Sequence, residues 1–426
     1  MNIGFSKLSK QEKINYILSE LNCSDKVALV DTEYKEKKLQ KRFENFSENT
    51  IANFHLPYGV APHFLIDGKK YTIPMVTEES SVVAAAAKAA KFWAGHGGFK
   101  TQIKSVTKVG HIYCSFDLDK RILFKVFEDS KEILLNNTRE LTQNMDERGG
   151  GIESIRMKTL TDLSNTFKIE LKVQTCDAMG ANFINSILEQ IADSFNSIMV
   201  ENYFENHFEI IFSILSNYTP ECVVTSEVCL EIADFDIDGM KAADFLNKFK
   251  KAIDIAHFDT DRAVTHNKGI MNGIDSLILA TGNDFRAIEA CAHAYAAKDG
   301  QYRSLTRASI IDGLFKFSIE LPISVGTIGG LTKLHPLASL SLDLLAQPNA
   351  QELMRIIACL GLAQNFSAVR SLITTGIQQG HMKMHLLNIL AQFDASDEQI
   401  KAAKVYFSNK VVSFAEVRSF LIEDSH

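Results

Sequence analysis

The segment Thr265–Asp284, THNKGIMNGIDSLILATGND, places one lysine, Lys268, among glycines, asparagines and a methionine. Lysine is rarely buried unless another group pairs with it. An aspartate close to a lysine keeps it charged, and a desolvated ammonium group can stabilise an oxyanion. A surface lysine whose stem packs along apolar residues explains this segment equally well. The polar residues near Lys268 in the sequence are His266, Asn267, Asn272, Asn283 and Asp284.

Two other residues have side chains suited to proton transfer. Glu79, directly after Glu78, opens a predicted helix, where a carboxylate also complements the helix dipole without any further role. His381, in GIQQGHMKMHLL, is either a proton donor near neutral pH or an exposed histidine at a helix start. Taken singly, neither residue identifies a reaction.

The segment CDAMGANFINSILEQ (176–190) is the strongest candidate for a nucleotide site. Gly180 permits a close backbone approach, and the apolar stripe that follows predicts a helix. The free amides at the N-terminus of that helix suit a pyrophosphate. A plain helix capped by Asp177 fits the local pattern as well.

Several signatures are missing from the sequence. There is no phosphate loop G-x-x-x-x-G-K-[ST], no G-x-G-x-x-G opening a βαβ unit, no H-E-x-x-H and no G-x-S-x-G. Metal and serine-hydrolase chemistry therefore lack support. The chain has 45 basic and 52 acidic residues, a net charge of -7, and no basic block, which argues against a nucleic-acid partner.

Composition also predicts where the protein works. The seven cysteines form no CxxC pair, so we expect reduced thiols. The N-terminus lacks the apolar core of a signal peptide, and no stretch reaches the ~18 apolar residues of a membrane span. We expect a soluble, cytoplasmic protein without a membrane partner. With 426 residues, of which 46% are hydrophobic, the chain is expected to form two or three domains.

Periodicity predicts how the elements are ordered. Ser9 and Glu12 form a capping-box pattern before a first helix, and FLIDGKKYTIPM (64–75) predicts a hairpin. Residues 79–94 have the alanine content of a well-packed helix. Between 110 and 219 the predicted order is β-α-β-β-α-β, the split βαβ pattern. Its segments are a strand at 111–118, a helix at 119–146, strands at 152–158 and 166–175, a helix at 180–203 and a strand at 208–215.

We therefore predict an α+β protein in which a small domain, 110–219, is inserted into a larger one. The halves of the larger domain are 1–109 and 220–375. Three short helical patterns in 376–426, following glycines at 376 and 380, predict a C-terminal lid.

Multi-residue segments spread across almost the whole chain resemble the class II (soluble, bacterial-type) 3-hydroxy-3-methylglutaryl-CoA (HMG-CoA) reductases. The resemblance implies a large α+β domain for the acyl-CoA, a ferredoxin-like insert for the nicotinamide cofactor, and a helical C-terminal flap. The segments are, in order, EESSVVAAA, DAMGAN, SILSN, RAVTHNKGIMNGI, LATGND, HAYAAKDGQYRS, GTIGG, LAQNF and QQGHM.

The implied reaction is the four-electron reduction of a thioester by two NAD(P)H, giving mevalonate and CoA, or its reverse in mevalonate breakdown. Lys268 corresponds to the family's catalytic lysine, and Asp284 to the aspartate that holds it. Glu79 corresponds to the acid that protonates the aldehyde oxygen, and His381 to the flap histidine that protonates the CoA thiolate. The residues at substrate-contacting positions are Ser81, Arg262, Thr265, Asn272, Asn365 and Lys13.

The resemblance places the cofactor against Asp177, Met179, Gly180, Asn182 and Asn217. On the strand after the glycines at 149–151, alternation puts Ser154, Arg156 and Lys158 on one face and Glu153 on the other. A neutral Ser154 followed by an arginine favours the 2′-phosphate of NADPH over NADH, with use of both left open. Ordinary solvated side chains at these positions are the alternative.

The resemblance further implies a homodimer, or a multiple of it, whose active site spans two subunits. It implies no metal. The sequence departs from the family at Ser80, at Ala87-Lys88, in the loop ENTIANF (48–54) and at Lys13, which replaces an arginine that reaches a CoA phosphate. A non-catalytic protein that binds CoA or a nucleotide on the same scaffold is the competing hypothesis.

Overall fold

A computed structural model describes residues 4–20, 32–233, 236–374, 386–407, 410 and 412–423. Contacts divide the chain after Tyr58 into two compact units. The sequence had assigned 1–109 to one part of a large domain. The division differs because the largest apolar cluster begins only at Ala61.

The described residues of the first unit include two α-helices, α1 (Lys10–Glu20) and α2 (Lys37–Glu44). The predicted capping box is confirmed, since the Ser9 amide donates to Glu12 Oε2 at 2.7 Å and the Glu12 amide donates to Ser9 Oγ at 3.3 Å. The Lys10 ammonium donates to Glu44 at 2.7 Å, which ties the start of α1 to the end of α2.

The second unit starts with the predicted hairpin, β1 (Tyr58–Ile66) and β2 (Lys69–Val76). Asp67 and Gly68 at its turn both have positive φ, 48° and 84°, as a two-residue primed turn requires. Helix α3 (Val82–Ala94) and the short strand β3 (Lys100–Ile103) follow.

Residues 108–215 then form a four-stranded antiparallel sheet with helices on one face. The strand order is β5-β6-β4-β7, and the helices and strands alternate as predicted, which confirms the β-α-β-β-α-β pattern. The elements are β4 (Lys108–Phe116), α4 (Lys120–Asn136), α5 (Arg139–Asp146), β5 (Gly151–Thr159), β6 (Thr166–Gln174), α6 (Ala181–Glu201) and β7 (Phe208–Leu215).

The single helix predicted over 119–146 is divided into α4 and α5. The Asn137 side chain donates to Ser194 on α6, and the Thr138 hydroxyl donates to the Leu135 carbonyl. These side chains compete with the helical backbone for hydrogen bonds, and the helix therefore breaks between them.

The chain next completes a second four-stranded sheet, whose order is β11-β12-β8-β3. Helix α11 packs against α8, α3 and β8, and the rings of Trp93, Phe249 and Phe317 surround its Phe366. The elements are β8 (Val223–Glu231), β9 (Asp236–Ile237), β10 (Met240–Lys241), α7 (Ala242–Phe258), α8 (Thr260–Ala280), α9 (Phe285–Ala296), β11 (Thr306–Ile311), β12 (Leu314–Pro322), α10 (Pro336–Leu344) and α11 (Ala350–Ile373).

Helix α11 is long and apolar enough to cross a membrane by length and composition, with a mean hydropathy of 1.5 in its most apolar window. Within the protein, however, 78% of that window is buried. Its apolar character thus serves the core of the second unit.

After residue 385 the described part of the chain contains three helices: α12 (386–392), α13 (Asp397–Tyr406) and α14 (Phe414–Glu423). They share a small apolar cluster that includes Leu390, Phe407 and Val417. This cluster is separate from the cluster around α11 and from the one within 108–215. The glycines at 376 and 380 and His381 lie outside the described residues.

Candidate active site

Helix α8 carries four of the predicted site residues on one face. Arg262, Thr265, Lys268 and Asn272 are spaced so that they fall on the same side of an α-helix, and each is exposed or half-buried. The opposite face, which includes Ile270, Ile274 and Leu277, is buried against the core. Asp259 caps the helix, accepting hydrogen bonds from the amides of Asp261 and Arg262.

Lys268 and Asn272 both donate to the same carboxylate oxygen. Lys268 Nζ lies 2.8 Å from Glu79 Oε2, and Asn272 Nδ2 lies 3.1 Å from it. The side chains of Lys268 and Glu79 are 63% and 38% exposed. The prediction of a desolvated lysine therefore does not describe a single chain, in which this pair is open to solvent.

Glu79 does not lie in the first turn of a helix, as the sequence suggested. Helix α3 begins at Val82, because Ser81 has a left-handed backbone with φ 74°. A non-glycine residue in this region stores roughly 1–3 kcal/mol of strain, which is found most often at functional sites. The turn from Thr77 to Ser81 directs Glu79 towards α8, and the Glu79 amide donates a hydrogen bond to the Thr77 hydroxyl oxygen at 3.2 Å.

The other polar residues near Lys268 in the sequence turn away from it. The Asn267 side chain donates to the Arg303 carbonyl at 2.8 Å and accepts from the Leu305 amide at 3.0 Å. His266 Nε2 contacts the Thr306 hydroxyl at 2.7 Å, and Thr306 donates to Asn365 Oδ1 at 3.1 Å. Asn365, predicted to contact substrate, is therefore buried in a network that fixes α8 against β11 and α11.

Asp284 is not a partner of Lys268 within one chain. It caps α9, accepting from the amides of Arg286 and Ala287, and pairs with the Arg286 side chain at 3.2 Å. Burial opposes ionisation of this carboxyl, but its hydrogen bonds to Arg286 and Ala287 leave the pKa of Asp284 below its usual value. Asn283 also faces elsewhere, accepting from the Gly326 amide at 2.9 Å.

The predicted nucleotide segment, 176–190, contains the N-terminus of α6, and no side chain caps the first amides of this helix. Gly180 is the N-cap of α6, with φ 91° and no side-chain cap, so the alternative of a helix capped by Asp177 is wrong. A Cβ at Gly180 would lie 2.4 Å from Thr175 Cγ2, so the glycine is required by the turn itself. Asp177 instead accepts from the Ala350 amide at 2.8 Å, at the start of α11.

Lys108 was missed by the sequence analysis. It is 4% exposed, and its ammonium donates to Thr175 Oγ1 at 2.6 Å, the Ala178 carbonyl at 2.7 Å and the Met179 carbonyl at 3.0 Å. Strand parity could have identified it, because Lys108 shares a face of β4 with the buried Ile112 and Cys114.

Three of the predicted cofactor residues lie around this turn. Met179 and Asn217 line one small cleft together with Lys108 and with Ala287 of α9. Asn182 is exposed in the first turn of α6. The cleft thus brings the turn at 175–180, the end of β7 and the start of α9 together.

The outer face of β5 carries Ser154, Arg156 and Lys158, as alternation predicted, while Ile155 and Met157 face the core. Lys158 pairs with both oxygens of Glu170 at 2.8 Å. The placement of Glu153 on the opposite face is wrong. A register shift between Ile152 and Ser154 makes a bulge, which leaves Glu153 exposed and bonded to the Gln174 side chain.

Two predicted residues lie apart from these groups. Lys13 belongs to the first unit, where its ammonium reaches the Ser6 carbonyl at 3.5 Å. His381 falls outside the described residues. Among the residues that the structure describes, no group of three or more His, Cys, Asp or Glu side chains is arranged to hold a metal ion.

Comparison with known proteins identifies the family. Residues 10–386 match the model described as hydroxymethylglutaryl-coenzyme A reductase. The chain belongs to the HMG-CoA reductase family. It therefore has HMG-CoA reductase activity and is an NAD(P)-dependent oxidoreductase of the mevalonate pathway.

Individual HMG-CoA reductases match over most of the chain. The 3-hydroxy-3-methylglutaryl-coenzyme A reductase of Archaeoglobus fulgidus is 38% identical over 401 residues, which cover 93% of this chain and 88% of the relative. A probable HMG-CoA reductase of Borreliella burgdorferi is 33% identical, covering 91% and 88%.

Solved HMG-CoA reductases share the mixed α+β fold. One from Streptococcus pneumoniae is 33% identical, with a TM-score of 0.74 and coverage of 99% of both chains. A class II structure from the same organism, described as bound to NADPH in open conformations, has a TM-score of 0.73 and covers 87% of this chain and 99% of the other.

Proposed function

We propose that the chain reduces the HMG-CoA thioester in two hydride steps, giving mevalonate and CoA, with Lys268 and Glu79 at the reacting carbonyl. The observation that carries this proposal is the convergence of Lys268 and Asn272 on one oxygen of Glu79. Such a cluster places a cation and a carboxyl group within reach of the same substrate oxygen. A protein that only binds CoA or a nucleotide has no need of both groups.

Lys268 supplies the positive charge. When a carbonyl accepts hydride, negative charge develops on its oxygen, and a fixed ammonium directly stabilises that charge. Asn272, one helical turn further along α8, also donates to Glu79 and so holds that carboxylate in place beside Lys268.

Glu79 supplies the proton. A hemithioacetal oxygen must lose a proton when CoA departs, and the aldehyde oxygen must gain one when it becomes the alcohol. A carboxyl group hydrogen-bonded to Lys268 can serve both steps. The residues that bind the acyl group in this proposal lie beside it: Ser81 in the strained turn, and Arg262 and Thr265 on the exposed face of α8.

His381 is proposed to protonate the departing CoA thiolate, because its proton is available near neutral pH. It belongs to the segment 376–426, which we propose as the flap. The separate apolar cluster of α12, α13 and α14 supports a unit that closes over bound substrate.

The nicotinamide cofactor is proposed to bind the ferredoxin-like domain, 110–219, and it supplies the hydride. The turn at 175–180 fits a dinucleotide, since α6 begins at a glycine with no side chain over its first amides, which suit a pyrophosphate. Asp177, Met179, Asn182 and Asn217 surround this position. We propose that residues 1–109 and 220–375 provide the acyl-CoA domain.

NADPH is the proposed cofactor, with NADH as an alternative. Arg156 on the outer face of β5 can pair with a 2′-phosphate, and the Streptococcus pneumoniae relative is described as bound to NADPH. The exposed Glu153 beside it acts in the opposite direction, because a carboxylate repels a phosphate.

A homodimer is proposed to complete the site. Lys268 precedes the end of α8 by about three turns, or roughly 18 Å, whereas Asp284 begins the next helix. Asp284 can therefore hold Lys268 only if it comes from another subunit. The exposure of the Lys268–Glu79 pair supports this arrangement, because covering the pair would strengthen its electrostatic effect.

The test is a spectrophotometric assay of purified protein with HMG-CoA, run separately with NADPH and NADH. We propose that the protein is cytoplasmic, so the assay is run in the cytoplasmic pH range. Oxidation of about two equivalents of cofactor per HMG-CoA consumed, with mevalonate as product, would support the proposal. Cofactor binding without turnover would support the binding-protein hypothesis instead.

A further inference from the structure

The buried ammonium of Lys108 lies directly beneath the turn that opens α6. All three of its hydrogen atoms have acceptors within 3.0 Å, namely one hydroxyl and two backbone carbonyls of the 175–179 segment. Burying a lysine is energetically costly unless its charge is compensated, and these three hydrogen bonds compensate the charge of Lys108. The Thr175 hydroxyl also donates to the Ala178 carbonyl at 2.6 Å, closing the turn upon itself.

The same turn is held from the opposite side by the larger core. The Asp177 carbonyl accepts from the Thr327 amide at 2.9 Å, and its side chain accepts from Ala350. A Cβ at Gly326 would lie 2.4 Å from the Met179 amide nitrogen, so the two segments are in close contact. Lys108, at the start of β4, therefore supports the turn from one side, and Gly326, Thr327 and Ala350 support it from the other.

We propose that Lys108 is a positioning residue for the nicotinamide cofactor, which holds the 175–180 turn so that the first amides of α6 face the pyrophosphate and places a positive charge behind them. This inference rests on the proposed cofactor site. The ammonium acts in the same direction as the helix N-terminus, because both favour an anion in front of α6.

The charge of Lys108 depends on pH in an accessible range. Burial lowers the pKa of Lys108 to about 8, and the nearby Cys222, Cys176 and Asp177 oppose that decrease. Above this pH the amine is neutral and loses one donor, so the turn loses a hydrogen bond and the site loses a charge. Burial raises the pKa of Cys222 to about 12, so this thiol stays neutral over the same range.

Lys108→Met removes the charge and keeps the length of the side chain. We expect its Kd for NADPH, measured by fluorescence titration without HMG-CoA, to rise by roughly tenfold to a hundredfold, since hydrogen bonds to a charged group are lost. The KM for HMG-CoA should change less than about twofold, because Lys108 does not contact the Lys268–Glu79 pair and so loses no interaction there. Amide exchange across 175–183 should accelerate in the variant. Lys172→Met is the matched control, because it removes a lysine of the neighbouring strand that pairs with Glu221.

Wild-type protein provides a test that needs no variant. Its Kd for NADPH should rise as the pH passes 8, and this rise should be absent from Lys108→Met. An unchanged Kd in the folded variant, or a pH profile shared by both proteins, would overturn the role of Lys108. Wild-type protein that fails to turn over HMG-CoA with either cofactor would instead overturn the proposed function, so the two failures are distinguishable.

Discussion

Lys268 contacts Glu79 within one chain, whereas Asp284, the other carboxylate assigned to it, caps a different helix and pairs with Arg286. Helix α8 separates the lysine from the aspartate by about three turns. One chain therefore pairs Lys268 with Glu79 but not with Asp284. The proposed homodimer assigns the Asp284 that acts on Lys268 to a partner subunit.

Mixing two inactive variants tests this arrangement. If Asp284 acts on Lys268 of a partner subunit, a mixed dimer of Lys268→Ala and Asp284→Asn keeps one intact site of its two. Random co-assembly should then give about a quarter of wild-type activity in the unpurified mixture, and the purified mixed dimer should have about half. Coexpression with two affinity tags and assay of the doubly purified species provides the measurement. A mixed dimer as inactive as either parent would show that both residues act within one chain.

Lys268→Ala should lose nearly all turnover and retain its fold. One group that stabilises an oxyanion contributes roughly 3–4 kcal/mol, which corresponds to about two to three decades in kcat. Circular dichroism and the melting temperature should stay close to wild type, because the lysine is exposed and its ion pair adds little stability. Lys251→Ala, an exposed lysine on α7, is the control. Activity above about a tenth of wild type would contradict the role.

Substitutions of the two proposed acids, His381 and Glu79, should affect the two half-reactions differently. His381→Gln should impair reduction of HMG-CoA and largely spare reduction of added mevaldehyde, because the aldehyde has no thiolate to release. Glu79→Gln should impair both, since each reduction ends with a proton on the same oxygen. Rates with HMG-CoA and with mevaldehyde are compared for each variant. Equal losses in both assays would refute this division of roles.

Arg156→Ala tests cofactor preference. Loss of a charged partner for the 2′-phosphate should lower kcat/KM for NADPH by roughly tenfold and leave NADH almost unchanged. Lys125→Ala, on α4, controls for a general loss of positive charge. Glu153→Gln should instead raise kcat/KM for NADPH, because it removes a carboxylate that repels the 2′-phosphate. A wild-type preference for NADH, or an unchanged kcat/KM for NADPH in Arg156→Ala, would show that β5 does not bind the 2′-phosphate.

Stability should fall as the pH rises from about 4 to about 8 because of one half-buried carboxyl group, that of Asp275. Burial, together with the neighbouring Glu289, raises the pKa of Asp275 to about 8. The native state therefore keeps a proton that the unfolded chain has lost, so the stabilisation is complete below the unfolded pKa and disappears as the pH passes the folded one.

Asp275→Asn removes this titration and should flatten the decline in melting temperature between pH 5.5 and pH 8.5 by roughly 3 °C or more. Asp129→Asn, at an exposed position on α4, should leave the decline unchanged. A decline of the same size in Asp275→Asn would assign it to other groups.

Much of the local structure could be predicted because it depends on neighbours in the sequence. The capping box at Ser9, the turn at Asp67-Gly68 and the strand-helix order from 108 to 215 all follow from hydrogen bonds and apolar alternation over a few residues. Only the family resemblance assigned Lys268 and Glu79 to the same catalytic site, since they are 189 residues apart in the sequence.

Only the tertiary structure decided which polar residues work together. Asn267 and Lys268 are adjacent in sequence, yet α8 directs the first to Arg303 and Leu305 in the core and the second to Glu79. The bulge that exposes Glu153 depends on how β5 pairs with β6, and the buried position of Lys108 depends on its contact with Thr175, 67 residues away. Sequence determines which groups a helix or strand carries, but packing determines which of its faces meets water, because burial depends on every element that covers it.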